Sequence, residues 1–197
     1  VRILAVGRLT EKKGFLYAIR AISKVLEKGF HVDLSIVGDG EMRDELHALI
    51  ETLGVEQHVH MLGRRPHDEV CTLLDASHLL IAPSVTAADG DQEGIPNILK
   101  EGMACGLPVV ATEHSGIREL VEDGRSGFLV PERDVVSLAE RLTTLLENPG
   151  RWGPFGRCGR EKVEAEFDIE PLNDQLVEIY ERVLAPDPAN LNAAAIA

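Results

Sequence analysis

Two glutamates, Glu93 and Glu101, flank a Gly-Ile-Pro turn with seven residues between them in DQEGIPNILKEGMACGLPVVAT, residues 91–112. Each carboxylate can accept hydrogen bonds from a pair of neighbouring hydroxyls. The turn leads into a helical pattern from about Pro96 to Cys105. Pro96 suits the first helical position, because its missing N–H would be unpaired there anyway. The N–H groups of Gly94, Ile95, Asn97 and Ile98 would then point out of the helix start, and unpaired donors backed by the helix dipole make an anion site. Glu101 falls one turn beyond Asn97 on the same face. The order is acid, anion site, acid. That spacing suits a sugar, a diphosphate and a ribose in a row, each acid being suited to a pair of hydroxyls. The plainer alternative for Glu93 is a local cap of the helix.

An anion site of this kind calls for cations. Arg8 and Lys13 lie five apart in GRLTEKKG, one offering a planar fork for phosphate oxygens and the other a point charge. A third loop, VGDGE, places Gly38 and Gly40 after a strand, where glycines let backbone approach a ligand. By themselves these two loops also read as solvated cations and a plain turn. No Walker loop and no G-x-G-x-x-G fingerprint is present. Asp89 and Asp91 spell Asp-Gly-Asp, which could hold a divalent metal, but a glycine-rich turn with cations already supplied favours a solvated turn. His58 and His60 alternate on a strand and share a face, without a third ligand. Ser84 and His114 lack a nucleophile-elbow context. No metal site and no cofactor is expected.

These loops sit at the ends of alternating elements. RILAVG, HVDLSIVG, HVHML, HLLIAPS, PVVAT and GFLV are apolar, β-branched runs, separated by segments with apolar residues at helical spacing, such as Phe15, Ile19, Ile22 and Leu26. Apolar strands alternating with helices predict an α/β fold with a Rossmann-like, doubly wound parallel sheet, covered on both faces and binding ligands beyond the carboxyl ends of its strands. The 197 residues suffice to bury roughly 70% of the unfolded surface. Net charge is −13, from 20 basic and 33 acidic residues, and aromatics are 4%. Nucleic acid and anionic membrane are therefore poor partners. Cys71, Cys105 and Cys158 form no close pair and read as reduced, buried or inert thiols of an intracellular protein. No run reaches the about 20 apolar residues of a membrane span, and no leader is visible. The chain opens directly on a strand, which suggests that an N-terminal part precedes it.

Taken with VGDGE, LGRRPHDEV, SGIRELVEDGRSGFLV and the final helix, the GRLTEKKG and DQEGIPNILKEG segments resemble retaining glycosyltransferases of the GT-B fold, glycosyltransferase family four, over about residues 1–184. The DGDQEGIP wording is nearest to transferases of colanic acid and similar exopolysaccharides. The resemblance implies the C-terminal, donor-binding half of a hexosyltransferase that uses a nucleotide sugar, with UDP or GDP as the nucleotide, without a metal. Residues 1–166 would form the donor domain, 167–185 a helix crossing back to the other half, and 186–197 a fraying tail. Arg8 and Lys13 would contact the diphosphate, Glu93 and the backbone of Gly94 and Ile95 the sugar, and Glu101 the ribose. Leu62, Gly63 and Arg64 would edge the base. Gly7, Gly38, Pro96 and Asn97 complete the expected donor site, with Glu93, Arg8 and Lys13 acting on the reaction itself. A catalytic histidine and the site for a saccharide or lipid-linked acceptor would belong to the N-terminal half, absent from this chain, as would any membrane contact; the expected location is the cytoplasm, or the periphery of the inner membrane. Two departures stand out. Gly102 replaces a small helix former, a loss of about 1 kcal/mol in propensity. His114-Ser115-Gly116 replaces a double glycine, so contacts from that loop are not carried over. A nucleotide-sugar epimerase or hydrolase, and a non-catalytic nucleotide-sugar-binding module, are the rival readings.

Overall fold

Each apolar run becomes a parallel strand of one six-stranded sheet in the computed structural model, which describes residues 1–184. The tail expected at 186–197 lies outside the described residues. The strands are β1 (Arg2–Val6), β2 (Asp33–Val37), β3 (Val59–Gly63), β4 (Leu79–Ala82), β5 (Val109–Thr112) and β6 (Gly127–Val130), in the order β3-β2-β1-β4-β5-β6. The fold is thus the Rossmann-like doubly wound α/β sheet. The helices are α1 (Phe15–Glu27), α2 (Arg43–Leu53), α3 (His67–Ala76), α4 (Asn97–Ala104), α5 (Ile117–Leu120), α6 (Val135–Glu147), α7 (Trp152–Glu166) and α8 (Ile169–Leu184).

The strands carry unbroken apolar runs because both faces are covered. In β4, Leu79 and Ile81 enter the core layer shared with α1, α2 and α6, while Leu80 and Ala82 enter the layer shared with α3, α4 and α5. Helix α7 ties the layers together, placing Phe155 in the first and Val163 beside the second. Helix α8 buries none of its residues: Leu172, Leu176, Tyr180 and Val183 form an exposed apolar stripe.

Gly102 has a packing reason. A Cβ there would stand 2.5 Å from Leu80 Cδ2, inside the core, so α4 rests on β4 more closely than alanine would allow. Two boundaries differ from expectation. Pro96 is the cap of α4 rather than its first residue: its φ of −58° is helical but its ψ of 126° is extended, and its carbonyl accepts from the Leu99 N–H at 3.0 Å. His58 precedes β3 instead of sharing a strand face with His60, its Nδ1 lying 3.2 Å from the Val32 carbonyl. Of the thiols expected to be buried or inert, Cys71 and Cys105 are exposed rather than buried. Partial burial, with the Asp75 carboxylate nearby, pushes the Cys105 thiol up and keeps it protonated.

Candidate functional site

The strand order turns back at the β1–β4 boundary, where the chain leaves β1 for α1 on one face of the sheet and β4 for α4 on the other, and the carboxyl edge beside such a point is where ligands bind in these sheets. On one side lies a cleft of about 450 Å3 lined by Gly7, Arg8, Gly38, Asp39, Arg64 and Arg65. Gly38 and Gly40 let the cleft wall close on itself. A Cβ on Gly38, at φ 148°, would stand 1.8 Å from the Gly7 carbonyl oxygen, and one on Gly40 would stand 2.5 Å from that of Leu9. The glycines of VGDGE therefore let one loop backbone lie on another. Arg8 and Arg64 are exposed in the cleft. Leu62 is displaced by a register shift that sets Met61 opposite Ile36 but Gly63 opposite Val37; it packs with the α3 layer and does not line the cleft.

Lys13 links this cleft to Glu93. Its stem lies across Gly7, where a Cβ would be 2.9 Å from Lys13 Cε. Its ammonium is 2.7 Å from Glu93 Oε2, and both side chains are largely covered, at 17% and 13% exposed. Lys12 bridges Glu93 Oε1 at 3.6 Å and Asp91 Oδ2 at 2.9 Å. The hydrogen bond with Asp91 raises the Lys12 pKa and lowers that of Asp91, so both are charged at neutral pH. Glu11 accepts the Ala88 N–H at 3.0 Å. A short 3-10 turn, Glu11–Lys13, thus grips the loop after β4 at three points. Asp91 is taken up by Lys12, and Asp89 accepts its N–H at 2.9 Å. Among the described residues, no group of three His, Cys, Asp or Glu could hold a metal ion.

Gly94 and Asn97 are exposed beside Glu93, Ile95 is half-buried, and Pro96 is buried beneath them. Glu101, in the second turn of α4, is half-buried. The residues read from the sequence therefore fall into two connected groups. Arg8, Gly7, Gly38 and Arg64 line the cleft, and Lys13 with Glu93 marks the start of α4. Sequence reasoning missed Lys12, Arg65 and two residues behind the site, His114 and Glu132. The imidazole of His114, 1% exposed, accepts the Glu93 N–H on Nε2 at 3.1 Å, and its Nδ1 lies 2.5 Å from Glu132 Oε1. Burial works against the Glu132 carboxylate, but hydrogen bonds from His114 and the Thr86 N–H outweigh it and leave its pKa below the ordinary value. The one signal in the sequence was the histidine standing where a double glycine was expected. Cationic side chains beside a helix start, followed by paired carboxylates, can hold an anion next to hydroxyls.

Residues 1–148 match the family of glycosyl transferases group 1. Over 182 residues the chain is 43% identical to WcaL of Escherichia coli (strain K12), a glycosyltransferase named for colanic acid biosynthesis; the match covers 92% of this chain and 45% of that protein. It is also 43% identical over 183 residues to the amylovoran biosynthesis glycosyltransferase AmsK of Erwinia amylovora, covering 93% and 45%. The chain thus spans just under half the length of these relatives. The crystal structure of Anabaena Alr3699/HepE in complex with UDP superposes with a TM-score of 0.82 at 30% identity, over 92% of this chain and 48% of that one. The chain belongs to the group 1 glycosyl transferases.

Proposed function

We propose that this chain is the donor-binding half of a glycosyltransferase that moves a hexose, with retention of configuration, from a nucleoside-diphosphate sugar to a saccharide or lipid-linked acceptor in polysaccharide synthesis. The observation that carries the reading is the Lys13–Glu93 ion pair just before α4, with the Lys13 stem lying across Gly7 of the arginine-lined cleft. In this reading the base and ribose enter the cleft past Gly63 and Arg64. Glu101 accepts hydrogen bonds from the ribose hydroxyls. Arg8, Lys13 and the N–H groups at Asn97 and Ile98 face the diphosphate and stabilise the charge that develops as it leaves. Glu93, with the backbone of Gly94 and Ile95, holds the sugar so that the acceptor attacks from the leaving-group face. The names of WcaL and AmsK support an exopolysaccharide product. The complexes of HepE with UDP and with UDP-glucose support a uridine donor, with a guanosine donor the variant to test against it. Among the described residues no helix is long and apolar enough to cross a membrane. The acceptor and its site belong, in this reading, to the other half of the protein.

A thermal-shift panel of UDP-, GDP- and ADP-sugars, with and without EDTA, tests the reading. A true donor at 100 times its dissociation constant adds about 2.7 kcal/mol of stability. One nucleotide class should stabilise the protein, and EDTA should not matter, because fixed cations already face the diphosphate. Stabilisation by none of them would overturn the reading, and a magnesium- or manganese-dependent shift would return Asp89 and Asp91 to a metal role.

A further inference from the structure

The imidazole of His114 is buried just past the end of β5 and reaches back across 21 residues of chain to the main chain of Glu93. A ring nitrogen that accepts an N–H carries no proton, so the His114 proton sits on Nδ1 and is donated to Glu132 Oε1. The second oxygen of that carboxylate accepts the Thr86 N–H at 2.8 Å, near the start of the loop that ends at Glu93. Arg133 donates to the Thr86 carbonyl. One carboxylate after β6 therefore holds the loop after β4 at both ends, directly at Thr86 and through His114 at Glu93. The loop after β5 also backs the Gly94–Ile95 turn. A Cβ on Gly116 would stand 2.8 Å from Ile95 Cγ1, so the turn has no room to retreat from the site.

Glu93 has a covered side chain but sits in an irregular loop, between exposed Gln92 and exposed Gly94. Its lysine partners fix the end of the side chain, and His114 fixes the backbone from which that side chain starts. We propose that His114, kept in its Nδ1–H form by Glu132, is the positioning residue that aims the Glu93 carboxylate at the sugar of the donor. This rests on the reading of the site as a nucleotide-sugar site and assigns discrimination between donor and product to a pair of residues that touch neither. In this reading nucleotide affinity rests on Arg8, Lys13 and Glu101, which His114 does not contact, and a loss of His114 leaves the Glu93 charge beside Lys13 in place. Loss of His114 should therefore separate the two ligands.

The test uses two substitutions that each keep one end of the ring. The amide of asparagine reaches only the Nδ1 position and can still donate to Glu132. The amide of glutamine reaches the Nε2 position and can still accept the Glu93 N–H. In the full-length protein, titration calorimetry with UDP and UDP-glucose (or GDP and GDP-mannose, should the wild type prefer guanine) measures both dissociation constants, and kcat and KM are read alongside. His114→Asn should bind UDP within about twofold of wild type but UDP-glucose about tenfold more weakly, the scale of one lost hydrogen bond. Its kcat should fall as well. His114→Gln should recover most of both losses. Glu132→Gln, at a more exposed position, should show the same split in milder form, and it stands as the test if His114→Asn does not fold. Equal weakening of both ligands, or no difference between the asparagine and glutamine variants, overturns the proposal. A wild type that binds neither nucleotide sugar overturns the donor-site reading along with it, whereas a wild type that binds and a His114→Asn variant that discriminates normally overturn the positioning role alone.

Discussion

Glu93→Gln probes the proposed row of subsites, and the ion pair changes what it should do. A carboxylate that touches only the sugar should leave the affinity for UDP unchanged. In the structure, however, Lys13 Nζ stands 2.7 Å from Glu93 Oε2, with Lys12 at 3.6 Å from the other oxygen. A diphosphate that engages Lys13 must draw the ammonium from Glu93 or share it, with the Glu93 charge opposing the approach. Even with the full dielectric of water, unit charges at the 2.7 Å of this pair attract by about 1.5 kcal/mol, close to a factor of ten. The amide of glutamine competes far less. UDP should therefore bind Glu93→Gln up to about tenfold more tightly than wild type. UDP-glucose gains the same advantage but loses charge-assisted hydrogen bonds to its sugar, roughly 1.5–3 kcal/mol. The ratio of the two dissociation constants should then move by roughly 10- to 100-fold in favour of UDP, and turnover of the full-length enzyme should fall by about 10²-fold or more. Titration calorimetry of both variants with both ligands reads the ratio directly. Repeating it in high salt should shrink the gain for UDP, because part of it is Coulombic. An unchanged ratio, or a Glu93→Gln variant that binds UDP more weakly, refutes the assignment of Glu93 to the sugar and of Lys13 to the diphosphate.

Arg8→Ala and Lys13→Ala should each weaken UDP by roughly 1.5–3 kcal/mol while leaving uridine nearly unaffected, and equal losses for both ligands in calorimetry would remove these residues from the phosphates. Glu101→Gln should weaken UDP and UDP-glucose by a similar factor, because both carry the ribose; a loss confined to UDP-glucose would place Glu101 at the sugar instead. The lowered pKa of Glu132 links the β4 loop to acid stability. A carboxylate with a depressed folded pKa contributes stability that is complete above its unfolded value, here 4.5, and is lost as pH falls through the folded one. Thermal melts between pH 6 and 3 should show the wild type losing stability below about pH 4.5 more steeply than Glu132→Gln; parallel curves would show that the carboxylate is not held as described.

Much of the fold was legible because a strand covered on both faces announces itself as an unbroken apolar run, and β1, β4 and β5 are such runs. Glu93 and Lys13 could be singled out separately because each has a local signature, an acid before a proline turn and a cation in a strand-end loop. That they form one ion pair across 80 residues of chain could not be read, since nothing periodic connects them. Lys12 was passed over for the same reason: two adjacent lysines look alike until the 3-10 turn sends one to Asp91 and both to Glu93. His114 looked like a departure from a glycine pattern, because the group it serves is a main-chain N–H, which no side-chain motif records. Gly102 looked costly because helix propensity counts the helix alone, whereas the reason for it lies in Leu80 on the neighbouring strand.

Strand β1 lies between β2 and β4, and the second of these neighbours is distant from it in the sequence. Arg2 and His78, 76 residues apart, bond to each other where the β1–β4 ladder begins. That ladder closes only after the chain carrying β2, β3 and α3 has been gathered into a loop, which makes it one of the slower contacts to form. Lys13 lies in the 3-10 turn after β1, and Glu93 in the loop after β4. The two groups meet only when this closure is complete, so the proposed donor site should be completed in time after most of the helix has formed. During refolding from denaturant, UDP binding followed by stopped flow should lag the recovery of far-ultraviolet ellipticity. Simultaneous recovery would show that β1 and β4 pair from the outset.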